Sequence, residues 1–440
     1  MSNDSVESGP QMIVYENRVE FIREDGGHEV YREGTQTEEA RERYESIKSE
    51  LEEGYLKDRI NQVIDSESDV SVDASQEQLD NIDAIVDAIT SEKGRALSGL
   101  LCNQLTIKSI APEQSVRLHK GSRSSAHFSW KEGLSMRTID SNYIAPTLRD
   151  YDLLRVNRDG VMMTRSLAEN YPYSRFYKAN IRGAQEEWAD ILSAVESENG
   201  PDPEELLDYL LLSFYNRGER AQEAYESVLS LVDEVVERGV TQRDATRIIT
   251  EHVTRSAHAA RIFEVALHSL FQVKEDNSGL PLGYELKPLT QMRSANKKHG
   301  NIGDLEVVAK DTEGRRHIKE AWDAKYGLRD LATEIREVGD KLSNHPETEV
   351  VGLITSKPVE ANYDEIIQRI ESKHDVDFQL IDVDAFVRVQ FEDHGDHLSP
   401  EEWIVAYAES LCQKRRDRAP IDEPTRQWVE SLAELLQFDR

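Results

Sequence analysis

Ile302–Tyr326 reads IGDLEVVAKDTEGRRHIKEAWDAKY, and the fold turns on it. Leu305–Ala309 is a short apolar run, Lys310–Arg316 is a polar turn around Gly314, and a second run closes on Trp322-Asp323-Ala324-Lys325-Tyr326. Two extended runs joined through a glycine-containing turn predict a β-hairpin. Side chains alternate along a strand, so Asp323 and Lys325 share one face and Ala324 takes the other. Asp304 enters the first strand behind Gly303, and the hairpin can bring Asp304, Asp323 and Lys325 together. The same alternation puts Glu306 on the face of Asp304, as a supplementary ligand or a lysine partner, and Glu320 on the opposite face from Asp323, as a structural residue.

Two carboxylates can hold one or two Mg²⁺ ions, or Mn²⁺ in their place, while leaving coordination positions for water and a phosphate oxygen. A lysine alongside can orient or help deprotonate the attacking water and offset charge on the phosphorane. The competing reading is a turn aspartate beside a solvated Asp323–Lys325 ion pair, a common pairing on strand faces.

Gly303-Asp304, then 18 residues, then Asp323-Ala324-Lys325 resembles the PD-(D/E)xK nuclease superfamily, which includes many type II restriction endonucleases. Gly303 stands where proline gives that motif its name. The resemblance implies a preceding helix with an acidic residue, and Arg261–His268 offers Glu264. It also implies further elements after the hairpin. Leu328–Leu342 has helical spacing, Glu349–Thr355 reads as a buried strand, Tyr363–Lys373 as a helix and Phe378–Val383 as a strand. The implied fold is α/β, a restriction-endonuclease-like α/β/α core with a large, mostly helical N-terminal and middle region and C-terminal helices. The implied roles are metal ligation by Asp304 and Asp323, water positioning or charge stabilisation by Lys325, and support from Glu264. The implied activity is Mg²⁺-dependent cleavage of double-stranded DNA at a specific site. A cognate DNA methyltransferase would be the genetic partner. Less of the chain resembles the SacI-type restriction family, through Gly133-Leu134-Ser135-Met136-Arg137 and Thr164-Arg165-Ser166-Leu167. A repair or recombination nuclease, or a non-catalytic DNA-binding protein, remains the alternative.

The chain has 440 residues and a formal net charge of −32, which by itself opposes binding to a phosphate backbone. Acid spread over nearly every helix, with Arg outnumbering Lys, resembles proteins of salt-loving organisms. At multimolar salt the Debye length is about 3 Å or less, so distant acids barely repel a duplex. Two cysteines, Cys102 and Cys412, make no metal cluster or disulfide framework and point to a reducing, cytoplasmic location. No run of 18 apolar residues predicts a membrane span, and no membrane partner is expected.

Five segments are expected: 1–106, mixed and mostly helical; 107–200, a basic DNA-recognition region; 201–256, a helical connector; 257–395, the nuclease core; and 396–440, C-terminal helices. Within the first, Met1–Pro10 has a disordered composition, Met12–Arg32 predicts a small hairpin, Thr37–Ile64 a helix, and Leu79–Leu101 a helix broken near Gly94. Ile107–Arg182 holds 13 Lys plus Arg against 7 Asp plus Glu, a local excess of 13 − 7 = +6 that points to an acidic partner. Lys120, Arg123, Arg137 and Arg165 are its DNA-binding candidates, because Arg reads guanine edges and Lys holds phosphates. Pairing with nearby acids is the plainer explanation for any one of them.

Farther on, Pro203 opens a helix to Asn216, Glu219–Glu237 a second, and Thr241 caps a third that can run through Glu264 to Phe271. His252, His258 and His268 lie along it without a second ligand helix, so ordinary packing outweighs zinc. Arg293, Asn296, Lys297 and Lys298 precede the hairpin in a loop placed to grip the scissile strand. Two C-terminal helices, Glu401–Gln413 and Glu423–Phe438, flank Lys414-Arg415-Arg416. Cutting both strands of a pseudo-symmetric duplex favours a homodimer.

Overall fold

The computed structural model describes residues 10–23, 26–66, 73–90, 93–120, 129–167, 169–289, 300–327, 330–412 and 423–438. The chain divides into two compact units, residues 1–220 and 221–440. Expectations for residues 1–9 and for the Lys414-Arg415-Arg416 run lie outside the described residues.

In the first unit β1 (Gln11–Val14), β2 (Arg18–Ile22) and β3 (His28–Arg32) form an antiparallel sheet in that order. The expected hairpin therefore gains a third strand, carried round by Gly26 at φ 81°. Val19, Phe21 and Tyr31 turn inward onto Leu118 and Trp130. Two helices, α1 (Glu38–Glu53) and α2 (Tyr55–Ser66), replace the single one expected over Thr37–Ile64. Gly54 at φ 107° donates to the Glu50 and Leu51 carbonyls and ends α1 in a left-handed cap.

The break near Gly94 falls between α3 (Gln76–Asp87) and α4 (Arg95–Ile110), and α4 is buried along most of its length. A single π turn at Asp140–Ile144 separates α5 (Met136–Ile139) from α6 (Ala145–Asp150), and α7 (Gln185–Val195) follows. One hydrophobic core from Ile47 to Phe214 joins the segments expected at 1–106 and 107–200.

α8 (Pro203–Glu237) starts at Pro203, as its spacing predicts, but runs unbroken through Gly218 where two helices were expected. An interior glycine costs about 1 kcal/mol. The helix formers around it, Arg217, Glu219, Arg220 and Ala221, carry the helix across.

The second unit contains α9 (Gln242–Arg255), α10 (Ala259–Asp276), β4 (Tyr284–Leu286), β5 (Leu305–Lys310), β6 (Arg316–Lys325) and α11 (Leu331–Leu342). These lead to β7 (Val350–Thr355), α12 (Asp364–His374), β8 (Asp377–Asp382), α13 (Val383–His394), α14 (Pro400–Leu411) and α15 (Thr425–Phe438). Thr241 and Asp244 form the expected capping box on α9. The expected continuous helix to Phe271 is interrupted. Ser256 is extended, and His258 is left-handed at φ 61°. At the break the Ser256 amide and hydroxyl both donate to His252 O, the hydroxyl at 2.6 Å, and Trp428 Nε1 donates to Ala257 O at 2.8 Å.

The hairpin is present. The sheet runs β4-β5-β6-β7-β8, antiparallel across β4, β5 and β6 and parallel across β6, β7 and β8. One face packs Leu305, Val307, Trp322 and Ala324 into a core with residues of α9, α10 and α13–α15. The other packs Val308, Ile318 and Ala321 against Ile335 and Val338 of α11 and Ile370 of α12. An irregularity opposite Val307/Val308 inserts Lys319 into β6, so Ile318 and Ala321 face the same way although three residues apart. That shift in phase sends Trp322 into one core and turns Asp323 and Lys325 toward α11.

Candidate active site

The start of β5 and the end of β6 lie side by side, because Leu305 pairs with Trp322. Asp304 Oδ2 accepts from the Ala324 amide at 3.0 Å, and the Asp304 amide donates to Trp322 O at 2.9 Å. Gly303 permits this approach: a Cβ there would stand 2.5 Å from Trp322 O and 2.7 Å from its carbonyl carbon. Lys325 Nζ lies 2.8 Å from Asp323 Oδ2 and 2.7 Å from Glu334 Oε2 in the first turn of α11. Arg261, buried in α10, is ion-paired to Glu264 Oε2 at 2.5 Å and to Glu423 Oε1 at 2.8 Å.

The electrostatics follow from these contacts. Burial, then the Asp323 and Glu264 charges, hold the Asp304 carboxyl well above the usual carboxylate range. Burial also raises Glu264, against the opposing pull of Arg261. Burial disfavours the Lys325 ammonium, but Asp323 and Glu334 outweigh it and the pKa is raised. Lys325 is therefore a fixed cation at neutral pH and a poor proton acceptor. Each of the two cations already serves two carboxylates, and Asp304 has no cation partner among the described residues.

No protein-family model matches this chain, and no curated protein matches it.

No three His, Cys, Asp or Glu side chains among the described residues form a ready-made metal cluster. The donor set is the smaller one that suits Mg²⁺, which keeps several waters and uses one or two carboxylates. A buried aspartate pressed upon by two other carboxylates supplies the negative potential such an ion requires.

The structure thus brings together Asp304, Asp323, Lys325 and Glu264. Glu306 accepts from the Ile302 and Gly303 amides and serves as a lysine partner, to Lys287 at 2.5 Å. Glu320 accepts from Trp322 Nε1 at 2.6 Å, a structural contact. His252 is buried between Tyr407 and Trp428, and His268 Nε2 bonds Lys287 O, so both pack as ordinary histidines.

Glu334, Arg261 and Glu423 carry no signal of their own in the sequence. Glu334 sits where a first-turn acid ordinarily complements the helix dipole, so nothing in its context marks it.

Of the DNA-binding candidates, Arg123, Arg293, Asn296, Lys297 and Lys298 lie outside the described residues. Arg137 and Arg165 are exposed, with the Arg137 guanidinium against Met163 Sδ. Lys120 is half-buried, and burial lowers its pKa. Part of the basic segment is consumed internally, as in Arg175 with Asp190 and Arg155 with Asp152. Among the described residues no helix is long and apolar enough to cross a membrane.

Proposed function

We propose that this chain is a Mg²⁺-dependent endodeoxyribonuclease of the restriction type, acting on double-stranded DNA as a homodimer, with a cognate methyltransferase protecting the host site. The observation that carries the reading is the convergence of Asp304, Asp323 and Lys325 at one end of the sheet, with Glu264 close enough to shift the Asp304 carboxyl. The order of α10, the hairpin, α11, β7, α12 and β8 supports assigning the second unit a restriction-endonuclease-like core.

Asp304 and Asp323 are the residues that hold the divalent ion. When bound, that ion supplies Lewis acidity and a more acidic water. Lys325, kept charged by Asp323 and Glu334, orients the attacking water and offsets negative charge on the phosphorane. Glu264, anchored by Arg261, would support the site through a water or the lysine. Arg137, Arg165 and Lys120 are the described residues offered to the phosphate backbone and base edges.

Plasmid cleavage at high salt with Mg²⁺ tests the reading, comparing wild type with Asp304→Ala, Asp323→Ala and Lys325→Ala. Cutting by wild type and loss in all three variants is expected. Equal cutting by all four removes these residues from the chemistry.

A further inference from the structure

Glu306 lies two residues beyond Asp304, is 3% exposed, and turns its carboxylate back on the chain. One oxygen, Oε1, accepts from two successive backbone amides, Ile302 N at 2.5 Å and Gly303 N at 3.3 Å. The other, Oε2, meets Lys287 Nζ at 2.5 Å, and the same ammonium reaches Asn301 Oδ1 at 3.3 Å. From the far side Lys341 Nζ of α11 donates to Ile302 O at 2.8 Å. Residues 301–303 are therefore gripped through side chain and backbone, in a place where a chain entering a strand ordinarily frays.

The grip bears directly on Asp304. Gly303 can approach β6 only because it lacks a Cβ, and that approach is what puts Asp304 Oδ2 on the Ala324 amide. Burying a carboxylate is costly unless it is fully bonded. Here two amides and an ammonium satisfy it, so the contact is strong in both directions: the backbone holds Glu306, and Glu306 holds the backbone.

We propose that Glu306 is a positioning residue. Its carboxylate bolts the Ile302–Gly303 turn and thereby fixes the Asp304 carboxyl for divalent-ion binding, without itself touching the ion. The proposal rests on the nuclease reading of the site and adds a residue to it.

The test is Mn²⁺ binding by the full chain, read by electron paramagnetic resonance, alongside thermal melting. Glu306→Ala is expected to weaken Mn²⁺ binding about tenfold or more, the scale at which outer-shell partners act. Glu306→Gln keeps one carbonyl oxygen for both amides and is expected to stay within about threefold of wild type. Lys341→Met frees the same turn at a half-buried position and covers the case in which Glu306→Ala does not fold; a loss of about tenfold is expected. Wild-type affinity in a folded Glu306→Ala, or in Lys341→Met if the alanine variant is unfolded, overturns the proposal alone. A wild-type chain that binds no Mn²⁺ overturns the nuclease reading beneath it.

Discussion

Lys325 Nζ lies 2.7 Å from the Glu334 carboxylate, which reaches it from the helix following its own strand. Burial opposes the Lys325 charge, and Asp323 with Glu334 restores it. Glu334→Gln is expected to lower the Lys325 pKa and to reduce cleavage about 10–100-fold, with the alkaline limb of the rate moving to lower pH. A pH–rate profile of wild type and variant decides it; an unmoved limb assigns Glu334 no part in charging Lys325.

Asp304 has a raised pKa in the fold, so its carboxyl favours folding only below its unfolded value of about 4 and costs stability as pH rises through the folded value. Asp304→Asn is therefore expected to raise the melting temperature of the Mg²⁺-free protein at pH 8. Saturating Mg²⁺ is expected to raise that of wild type by about 5–10 °C while leaving the variant unchanged. Scanning calorimetry with and without Mg²⁺ measures both.

Burial lowers the His252 pKa to about 4, and the neutral ring bridges the Tyr407 hydroxyl and the Trp428 carbonyl. The unfolded chain binds a proton near pH 6.5 and the folded one does not, so stability is lost as pH falls from 6.5 toward 4. The loss is about 3 kcal/mol at most. Urea unfolding at pH 7.5 and 4.5 is expected to show a smaller difference for His252→Gln than for wild type.

Gly352 pairs with Trp322 across β6 and β7, and a Cβ there would stand 2.3 Å from the indole. Gly352→Ala is expected to cost about 1–3 kcal/mol by overpacking. Because Trp322 adjoins Asp323, cleavage is expected to fall with stability; thermal melting and the cleavage assay report the two effects separately.

Much of the second unit was legible because its elements are short, strongly patterned and cleanly punctuated. β5, β7, β8, α11 and α12 fall within a few residues of their expected bounds. What escaped was decided by tertiary contacts. Nothing local shows that His258 takes a left-handed conformation between α9 and α10. The irregularity at Lys319 is also silent in the sequence, since regular alternation would place Ile318 and Ala321 on opposite faces. At the site, Asp304, Asp323 and Lys325 were readable from spacing within one hairpin. Glu334 and Arg261 belong to it through partners that only the folded chain brings near.

The Trp322 indole is wedged between Gly352 and the ring of Phe386, 4.8 Å away centre to centre. A strand so tightly seated cannot slide to suit its guest, and the adjoining Asp323 inherits that stiffness. Oxygen donors held on so unyielding a frame would discriminate by ionic radius: ions that accept bonds near 2.1 Å are expected to support cleavage, and Ca²⁺, which asks for 2.3–2.6 Å and more ligands, is expected to bind weakly and support none.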